Sequence, residues 1–556
     1  MYDTEGVSYD NDIDKANQFN KYFSEVFTTE SLPPIPILPD KAGPLKLSNI
    51  KIDQEVVAKE LRKVDSSKSA GPDNIHSRVI YEVRENIAYP LYKIFQLSLD
   101  KGTLPKIWKL AHIRPIHKKG KKCLFNNYRP VSLTSVCGKL MERVIRNQLV
   151  AYLESNKLIS QNQHGFRAGR SCTTQLLEIM EIWTEMLDKG LPFDCIYLDF
   201  AKAFDKVPHQ RLLGKLGSYG IEGKILKWIE DFLNNRQQLV SINKEKSHAL
   251  KVESGIPQGS VLGPILFIIF INDLPDVISA SVKIFADDTK IFRAIESLVD
   301  RDELESDLRK LLEWSQKWQL PFNIEKCKVI HYGNCNPHYL YDMNNRGLNV
   351  DVTEKDLGIT FDNQLKFTTH INQIIAKANS RLGIIRNTFS KLTAKSLVPL
   401  YKTLVRPLLE YAVAIWKPYL KKDIDSIERV QRRATKLVKE IKDLTYPNRL
   451  KKLKLDSLQF RRRRNDMLQV FRIFNNIDNL DKNSFFSPQL NPTTRGHIYK
   501  IAKPRALTNC RLHSFTHRVV NDWNSLKADT VSCKTLNAFK SSLLKEWSNH
   551  PERYLT

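Results

Sequence analysis

Three carboxylates stand at the ends of apolar runs. Asp199 follows Phe193-Asp-Cys-Ile-Tyr-Leu198, and the pair Asp287-Asp288 follows Val282-Lys-Ile-Phe-Ala286. Both runs read as short buried strands. A carboxylate is costly to bury unpaired, and two such strand ends meeting on one sheet edge would repel strongly unless a cation lay between them. Magnesium suits that role, as a hard ion held by one or two carboxylates plus water and substrate phosphates. Two ions roughly 3.5–4 Å apart stabilise both the attacking and the leaving oxygen of an in-line phosphoryl displacement. Their charge lowers the pKa of an attacking hydroxyl, so no protein base is required. A third feature, Gly255-Ile-Pro-Gln-Gly-Ser260, is a turn that launches an apolar helix over 261–271. Taken singly, the aspartates are explained as caps of a turn or a helix. Taken with the glycine loop, they point to phosphoryl-transfer chemistry.

The rest of the chain must position these groups. At 556 residues it is too long for one core and suggests several domains of roughly 100–200 residues each. Apolar residues make up 42% and charged residues 27%, an ordinary globular composition. The charge is unusual: 87 Lys and Arg against 61 Asp and Glu give +26. Residues 391–556 carry +20 of it and residues 101–150 carry +11. Two basic territories therefore flank a slightly acidic region, a distribution suited to a polyanionic partner.

Several classes are excluded at this stage. The longest uncharged apolar run, 261–271, is about half of the ~20 residues a membrane span needs, and Gly263 and Pro264 interrupt it. The acidic N-terminus shows no secretory or mitochondrial signal. Eight cysteines without a CxxC pair read as reduced intracellular thiols. Cys510, His513, His517 and Cys533 match no standard zinc-finger spacing. No membrane association and no protein partner is expected.

The first thirty residues carry a helical pattern (Ile13, Phe19, Phe23, Val26, Phe27), and the proline-rich stretch over 31–39 forces an extended linker. From 46 to 190 helices alternate with loops, and 237–253 alternates like a hairpin. After 370 the pattern becomes helical over 371–389, 394–416 and 421–442. The last of these carries Arg429, Arg432, Arg433 and Lys436, and the run Arg461-Arg-Arg-Arg464 follows.

Phe285-Ala-Asp-Asp288 resembles the aromatic-x-Asp-Asp motif of reverse transcriptases. Leu198-Asp-Phe-Ala-Lys-Ala-Phe-Asp-Lys-Val-Pro-His209 and Gly255–Phe267 are similar to palm motifs of the non-LTR (LINE-type, jockey/CR1-like) retrotransposon branch. Further matches are Ser69-Ala-Gly-Pro-Asp73, Asn127-Tyr-Arg-Pro-Val-Ser-Leu133, Gln163-His-Gly-Phe-Arg167, Asn323-Ile-Glu-Lys-Cys-Lys328, Lys355-Asp-Leu-Gly358, Arg406-Pro-Leu-Leu-Glu-Tyr411 and Ile427-Glu-Arg-Val-Gln-Arg-Arg433. They occur in family order from about 60 to 440, and it is the ordered series that makes the resemblance specific.

The resemblance implies an α+β right-hand polymerase with fingers, a palm holding a small antiparallel sheet, a helical thumb, and a mostly helical basic C-terminal extension. The expected boundaries are 1–45 for an N-terminal segment and linker, 46–365 for fingers and palm, 366–445 for the thumb and 446–556 for the extension. It implies synthesis of DNA on an RNA template, with an RNA template, a DNA primer or target and deoxynucleoside triphosphates as partners. The setting would be an intracellular element ribonucleoprotein in nucleus or cytoplasm. Carried over by position, Asp199, Asp287 and Asp288, with the Phe200 carbonyl, hold two magnesium ions, which manganese could replace. Phe204 stands under the sugar and excludes a 2′-hydroxyl. Gln258 and the Gly259 backbone line the incoming nucleotide, and Lys118 and Arg129 meet its triphosphate. Lys119 competes with Lys118 for that role. Lys326 is either a proton donor to pyrophosphate or a surface lysine. Arg429, Arg432, Arg433, Lys436, Arg461 and Arg462 grip template and primer through phosphates.

The chain departs from the family in showing neither an N-terminal apurinic-type nor a C-terminal restriction-like endonuclease pattern, so it reads as the polymerase part of a larger product or a truncated copy. Two competing readings are a nucleic-acid-binding relic without turnover and a two-metal nuclease. The first has no need of all three aspartates, and the second has none of Phe204 or the Gln258-Gly259 loop.

Overall fold

The computed structural model describes residues 1–2, 6–30, 35–489 and 497–554. The start of the proline-rich stretch, 31–34, and the segment 490–496 lie outside them. The chain is a mixed α+β structure with two main sheets.

The first sheet pairs β1 (Leu110–His117) antiparallel to β2 (Tyr128–Leu133) and parallel to β4 (Arg236–Ile242). β4 in turn pairs with β5 (Glu245–Lys246) and β6 (Leu250–Val252), as the alternation over 237–253 predicts. The helix Asp12–Ser24, capped by the Asn11 side chain, lies on this sheet. Phe19 packs edge-on to Phe125 and Tyr128. The buried Asn20 amide donates to the Ser247 hydroxyl and the His248 carbonyl, and its oxygen accepts from Gln238. The N-terminal segment is therefore joined to the first sheet by its own small core.

The second sheet has the order β12-β9-β3-β8-β7. Its centre is β3 (Phe193–Leu198), flanked antiparallel by β8 (Asp288–Ala294) and β9 (Lys328–Tyr332); β7 (Ser281–Phe285) and β12 (Asn349–Val350) form the edges. Two short hairpins follow β9, one of β10 (Asp342–Met343) with β11 (Arg346–Gly347), the other of β13 (Thr353–Asp356) with β14 (Ile359–Asp362).

Every residue of β3 is buried, because the sheet has a core on each face. Ile196 and Leu198 point into one cluster, Phe193, Cys195 and Tyr197 into the other. That is the period-2 alternation of a strand applied to two apolar layers. Asp194, on the first face, is fully buried and saturated: it accepts from His331 Nδ1 (2.7 Å), Asn336 Nδ2 (2.7 Å) and the Tyr341 hydroxyl (2.6 Å). The helix Gly263–Ile271 has apolar residues on all sides because it runs through the first core.

From Thr368 the chain is helical, as the sequence predicts, with one correction. The helix expected over 394–416 is Ala394–Leu400, a π-helical turn Tyr401–Val405, Arg406–Glu410 and, after a break at Ala412, Val413–Trp416. Pro407 lacks the N–H that a continuous α-helix would need, which accounts for the loosened turn before it. The C-terminal helices share the second core with Cys172–Asp188 and Thr368–Thr388. Arg511 pairs with Glu181 (2.6 Å), and the Thr508 N–H donates to Asp188 (2.7 Å). Among the described residues no helix is long and apolar enough to cross a membrane.

His370, in the helix Thr368–Thr388, is buried against Trp416. Its Nδ1 accepts the Thr360 N–H, and burial, followed by the charges of Lys377 and Lys355, pushes its pKa down to about 4. The unfolded chain thus takes up the proton first. Stability is complete above the ordinary histidine value near 6.5 and falls as pH drops through the window from 6.5 to 4. His370→Asn, which keeps the acceptor, should remove about 2 kcal/mol of the loss between pH 6.5 and 5, measured as a smaller shift in urea midpoint than in the unaltered chain.

Candidate active site

Antiparallel pairing brings the three aspartates together. The register sets Leu198 opposite Thr289 and Phe285 opposite Asp288. Asp199, one residue beyond the last pair, therefore comes alongside Asp288, and Asp287 occupies the two-residue loop between β7 and β8. Ala286 in that loop has φ +56°, a conformation uncommon for a residue with a side chain. The segment after Asn162 holds it in place. The Ile284 N–H donates to the Asn162 carbonyl (2.9 Å), and the His164 N–H donates to the Ile284 carbonyl (2.8 Å). The buried Gln163 Oε1 accepts from both the Gly165 N–H (2.7 Å) and the Ala286 N–H (3.0 Å). A Cβ on Gly165 would lie 2.5 Å from the Ala286 nitrogen, so the two backbones meet only through a glycine.

The site carries excess negative charge. Burial and the charge of Asp199 push the Asp287 carboxyl up. Burial, then Asp287 and Asp356, push Asp288 up to about 6. Asp199 is contacted by Lys326 Nζ at 2.9 Å. Behind Asp288 the ammonium of Lys290, 1% exposed, forms an ion pair with Asp356 of β13. No sequence pattern announced this pair, because its partners lie 66 residues apart. From the first sheet, Lys118, just after β1, and Arg129 of β2 oppose this rise and pull the pKa of Asp287 down through their charges. Lys118 is itself held below the ordinary lysine range by partial burial and by the cations Arg129, Lys326 and Lys119. Among the described residues no three ligating side chains converge closely enough to hold a metal ion as they stand. The donor chemistry nevertheless fits a hard cation: these are oxygen ligands whose charge the protein's own cations leave undercompensated. The Phe200 side chain is buried and stacked on Phe322 (4.5 Å), and the Asn323 N–H donates to the Asp199 carbonyl (2.7 Å), which fixes the chain direction at this point.

The expected nucleotide-contacting residues form a second wall. Phe204, half-buried, stacks on Phe267 of the buried helix at 4.5 Å. Its packing role is therefore real, and it leaves the outer ring face uncovered by that partner. The loop over 255–260 is tied to the same turn: the Ile256 N–H donates to the Phe204 carbonyl (2.7 Å), and Gln258 Nε2 donates to both oxygens of Asp205 (2.8 and 2.9 Å). Gly259 has φ +107°, and a Cβ there would meet the Ser132 carbonyl at 2.8 Å. The Ser132 N–H donates to the Gln258 carbonyl (2.9 Å), so this loop also joins the two sheets. Buried Glu142 accepts from the Val261 and Leu262 N–H groups (2.7 and 3.1 Å) at the start of the buried helix. Asp205 and Glu142 were missed by sequence reasoning; for Asp205 the available signal was a carboxylate beside Phe204 with no other assigned role.

The two basic segments expected to meet phosphates differ. In the helix Lys421–Thr435, Arg429, Arg432 and Arg433 are exposed, as is Lys436 just beyond it, while Ile427, Val430, Gln431 and Ala434 are buried. The spacing of three and four residues puts the cations on one outward stripe. The arginine run is corrected. In the helix Leu458–Phe474, Arg461 is held by the Glu410 carboxylate (Nη2 to Oε2 2.7 Å), Arg463 by Asp522 and Glu552, and Arg464 by Asp456. Arg462 is 2% exposed, and neither of its terminal nitrogens has a hydrogen-bond partner among the described residues. Four consecutive helical residues point in four directions, so in a helix packed on several sides they turn toward neighbouring segments, where Arg461, Arg463 and Arg464 meet carboxylates and Arg462 is buried. Arg461 and Arg462 are structural and are withdrawn from the phosphate-gripping set.

Residues 116–369 match the family of reverse transcriptases (RNA-dependent DNA polymerases). The chain is 30% identical over 404 residues to the RNA-directed DNA polymerase from mobile element jockey of Drosophila melanogaster, covering 70% of this chain and 43% of that protein. It is 27% identical over 423 residues to a probable RNA-directed DNA polymerase from transposon BS of the same species, covering 71% and 45%. For the corresponding protein from transposon X-element the identity is 24% over 459 residues, covering 79% and 50%. The chain thus spans about half the length of the curated relatives it matches.

Gln163 holds two backbone donors with one oxygen. Gln163→Ala should leave the Gly165 and Ala286 N–H groups unpaired and cost about 1–3 kcal/mol, read as a lower urea midpoint. Gln163→Glu, which keeps an acceptor, should recover part of it.

Proposed function

We propose, on the premise that residues 116–369 match the reverse transcriptase (RNA-dependent DNA polymerase) family, that the chain is the RNA-directed DNA polymerase part of a non-LTR retrotransposon product. It extends a DNA 3′-hydroxyl on an RNA template with deoxynucleoside triphosphates, within an element ribonucleoprotein of nucleus or cytoplasm. The observation that carries this reading is the pairing of β3 with β8, which sets Asp199 beside Asp287-Asp288, with Lys118 and Arg129 of the other sheet facing the same edge. The first sheet then serves as fingers, the second as palm, and the helices after Thr368 as a thumb to which the C-terminal helices are fused by a shared core.

Asp199, Asp287 and Asp288, with the Phe200 carbonyl, would hold magnesium, or manganese in its place, which supplies positive charge to the reacting oxygens when bound. The chain's own residues do the rest. Lys118 and Arg129 bind and orient the triphosphate, Arg129 through a planar fork suited to phosphate. Phe204, braced by Phe267, stands under the sugar where a 2′-hydroxyl would collide. The Gln258-Gly259 loop lines the same pocket. Lys326 neutralises Asp199 and lies where pyrophosphate would depart. The stripe of Arg429, Arg432, Arg433 and Lys436 holds template and primer by phosphate contacts that weaken with salt.

The test is primer extension on an RNA template with magnesium and deoxynucleotides. Asp287→Asn should reduce extension by about a hundredfold or more with the melting temperature retained; equal extension by the two proteins would refute the assignment. Phe204→Val should raise the efficiency of ribonucleotide relative to deoxynucleotide incorporation by about tenfold or more. Sugar discrimination that stays the same would remove Phe204 from the gate.

A further inference from the structure

We infer that the C-terminal helices carry a pocket, built around Phe474, Trp523 and Tyr499, that takes an unpaired base of single-stranded RNA. The pocket lies outside residues 116–369. It goes beyond the polymerase site and rests on the polymerase reading only for its ligand, because the strand left unpaired ahead of a paired primer is the RNA template.

A cavity of about 410 Å³ opens among the segments 474–488, 498–501 and 523–533, a size within the range of small-molecule sites. Its floor is aromatic. Phe474 is stacked on Trp523 (ring centroids 5.3 Å apart, planes at 20°) and on Phe486 (5.6 Å, 25°). At the rim Tyr499 is 45% exposed and Ile498 81% exposed, so apolar surface faces water beside the opening.

The frame around the cavity is already formed. Trp523 Nε1 donates to the Tyr499 carbonyl (2.8 Å). The Asn524 side chain accepts from the Ile501 N–H (2.9 Å) and donates to the Ile501 carbonyl (2.8 Å). On the other side, the Ala502 N–H donates to the Ser487 carbonyl (2.9 Å). The segment after Phe474 is tied to the polymerase part, since the Asn479 N–H donates to the Gly169 carbonyl (2.7 Å).

Charge decides what fits. Among the described residues that line the cavity are Lys482 and Lys500 and no carboxylate, and the wall continues into Lys503 and Arg505. Such a lining favours a polyanion over a peptide. Aromatic rings accept bases of any sequence by stacking, while lysines meet the phosphates on either side. The amides of Asn475 and Asn483 and the Ser532 hydroxyl, also on the lining, offer donors and acceptors to a base edge. A duplex keeps its bases paired and stacked, so only an unpaired base can enter.

The experiment measures, by fluorescence anisotropy, binding of the full chain to a single-stranded RNA and to the same RNA annealed to its complement, with melting temperature recorded alongside. Tyr499→Ala should weaken single-strand binding by about tenfold, the factor one stacked base supplies. It should leave duplex binding unchanged, and also kcat for primer extension at saturating template. Tyr499→Phe, which keeps the ring, should bind like the unaltered chain. Lys482→Ala should reduce the slope of log affinity against log salt by about 0.7, the value of one phosphate contact on a single strand, whereas Tyr499→Ala should not alter that slope. RNA carrying 4-thiouridine should crosslink on irradiation to the peptide that contains Tyr499. Single-strand affinity kept by a folded Tyr499→Ala, an equal loss for the duplex, or crosslinks confined to other peptides overturns the inference. A chain that binds and crosslinks as expected yet extends no primer refutes the polymerase reading and leaves the pocket standing.

Discussion

Like charges held side by side are the constraint around which this molecule is arranged. β3 and β8 pair because each is apolar on the faces that meet the two cores, and their register leaves Asp199 and Asp288 at the shared edge with Asp287 in the adjoining loop. A slip of one residue would turn every side chain of β3 to the opposite core, so the hydrophobic layers enforce the electrostatic crowding. The protein relieves it only in part. Lys326 meets Asp199, the Lys290–Asp356 pair lies behind Asp288, and Lys118 and Arg129 act from the other sheet. Burial, followed by the repulsion that is left, keeps the Asp287 and Asp288 carboxyls raised.

The loops that shape the site are held by buried polar side chains, each joining chain segments distant in sequence. Gln163 bonds the turn before Asp287, Glu142 the start of the buried helix, and Asp205 the Gln258 amide. In a low-dielectric interior such bonds are stronger than in water, and leaving a partner unpaired is costly. They give irregular backbone a defined position that packing alone would not provide.

Net charge turns out to be a poor guide to which cations face outward. The helix Lys421–Thr435 turns its arginines outward because its other face supplies the apolar contacts of the core. The helix Leu458–Phe474 is packed on several sides, so Arg462 is buried and Arg461, Arg463 and Arg464 are balanced by Glu410, Asp522 with Glu552, and Asp456. Part of the C-terminal charge excess is thus spent on internal cohesion, where an arginine fork gives directional contact with a carboxylate.

The order and spacing of the motifs were enough to single out the three carboxylates that meet at the sheet edge, the aromatic residue near them, the glycine loop and the α+β class, since these depend on residue types and on strand or helix period within a short window. The hairpin over 237–253 and most of the helices after 370 were legible for the same reason. The break in the helix near Pro407, the inward Arg461 and Arg462, the Lys290–Asp356 pair and the roles of Glu142, Gln163 and Asp205 were not. Each depends on a partner tens of residues away, or on how many sides of a helix are covered. Local sequence determines which groups are available; the pairing of remote segments decides which of them are neutralised, buried or left facing the cleft, because charge and desolvation are set by neighbours in space.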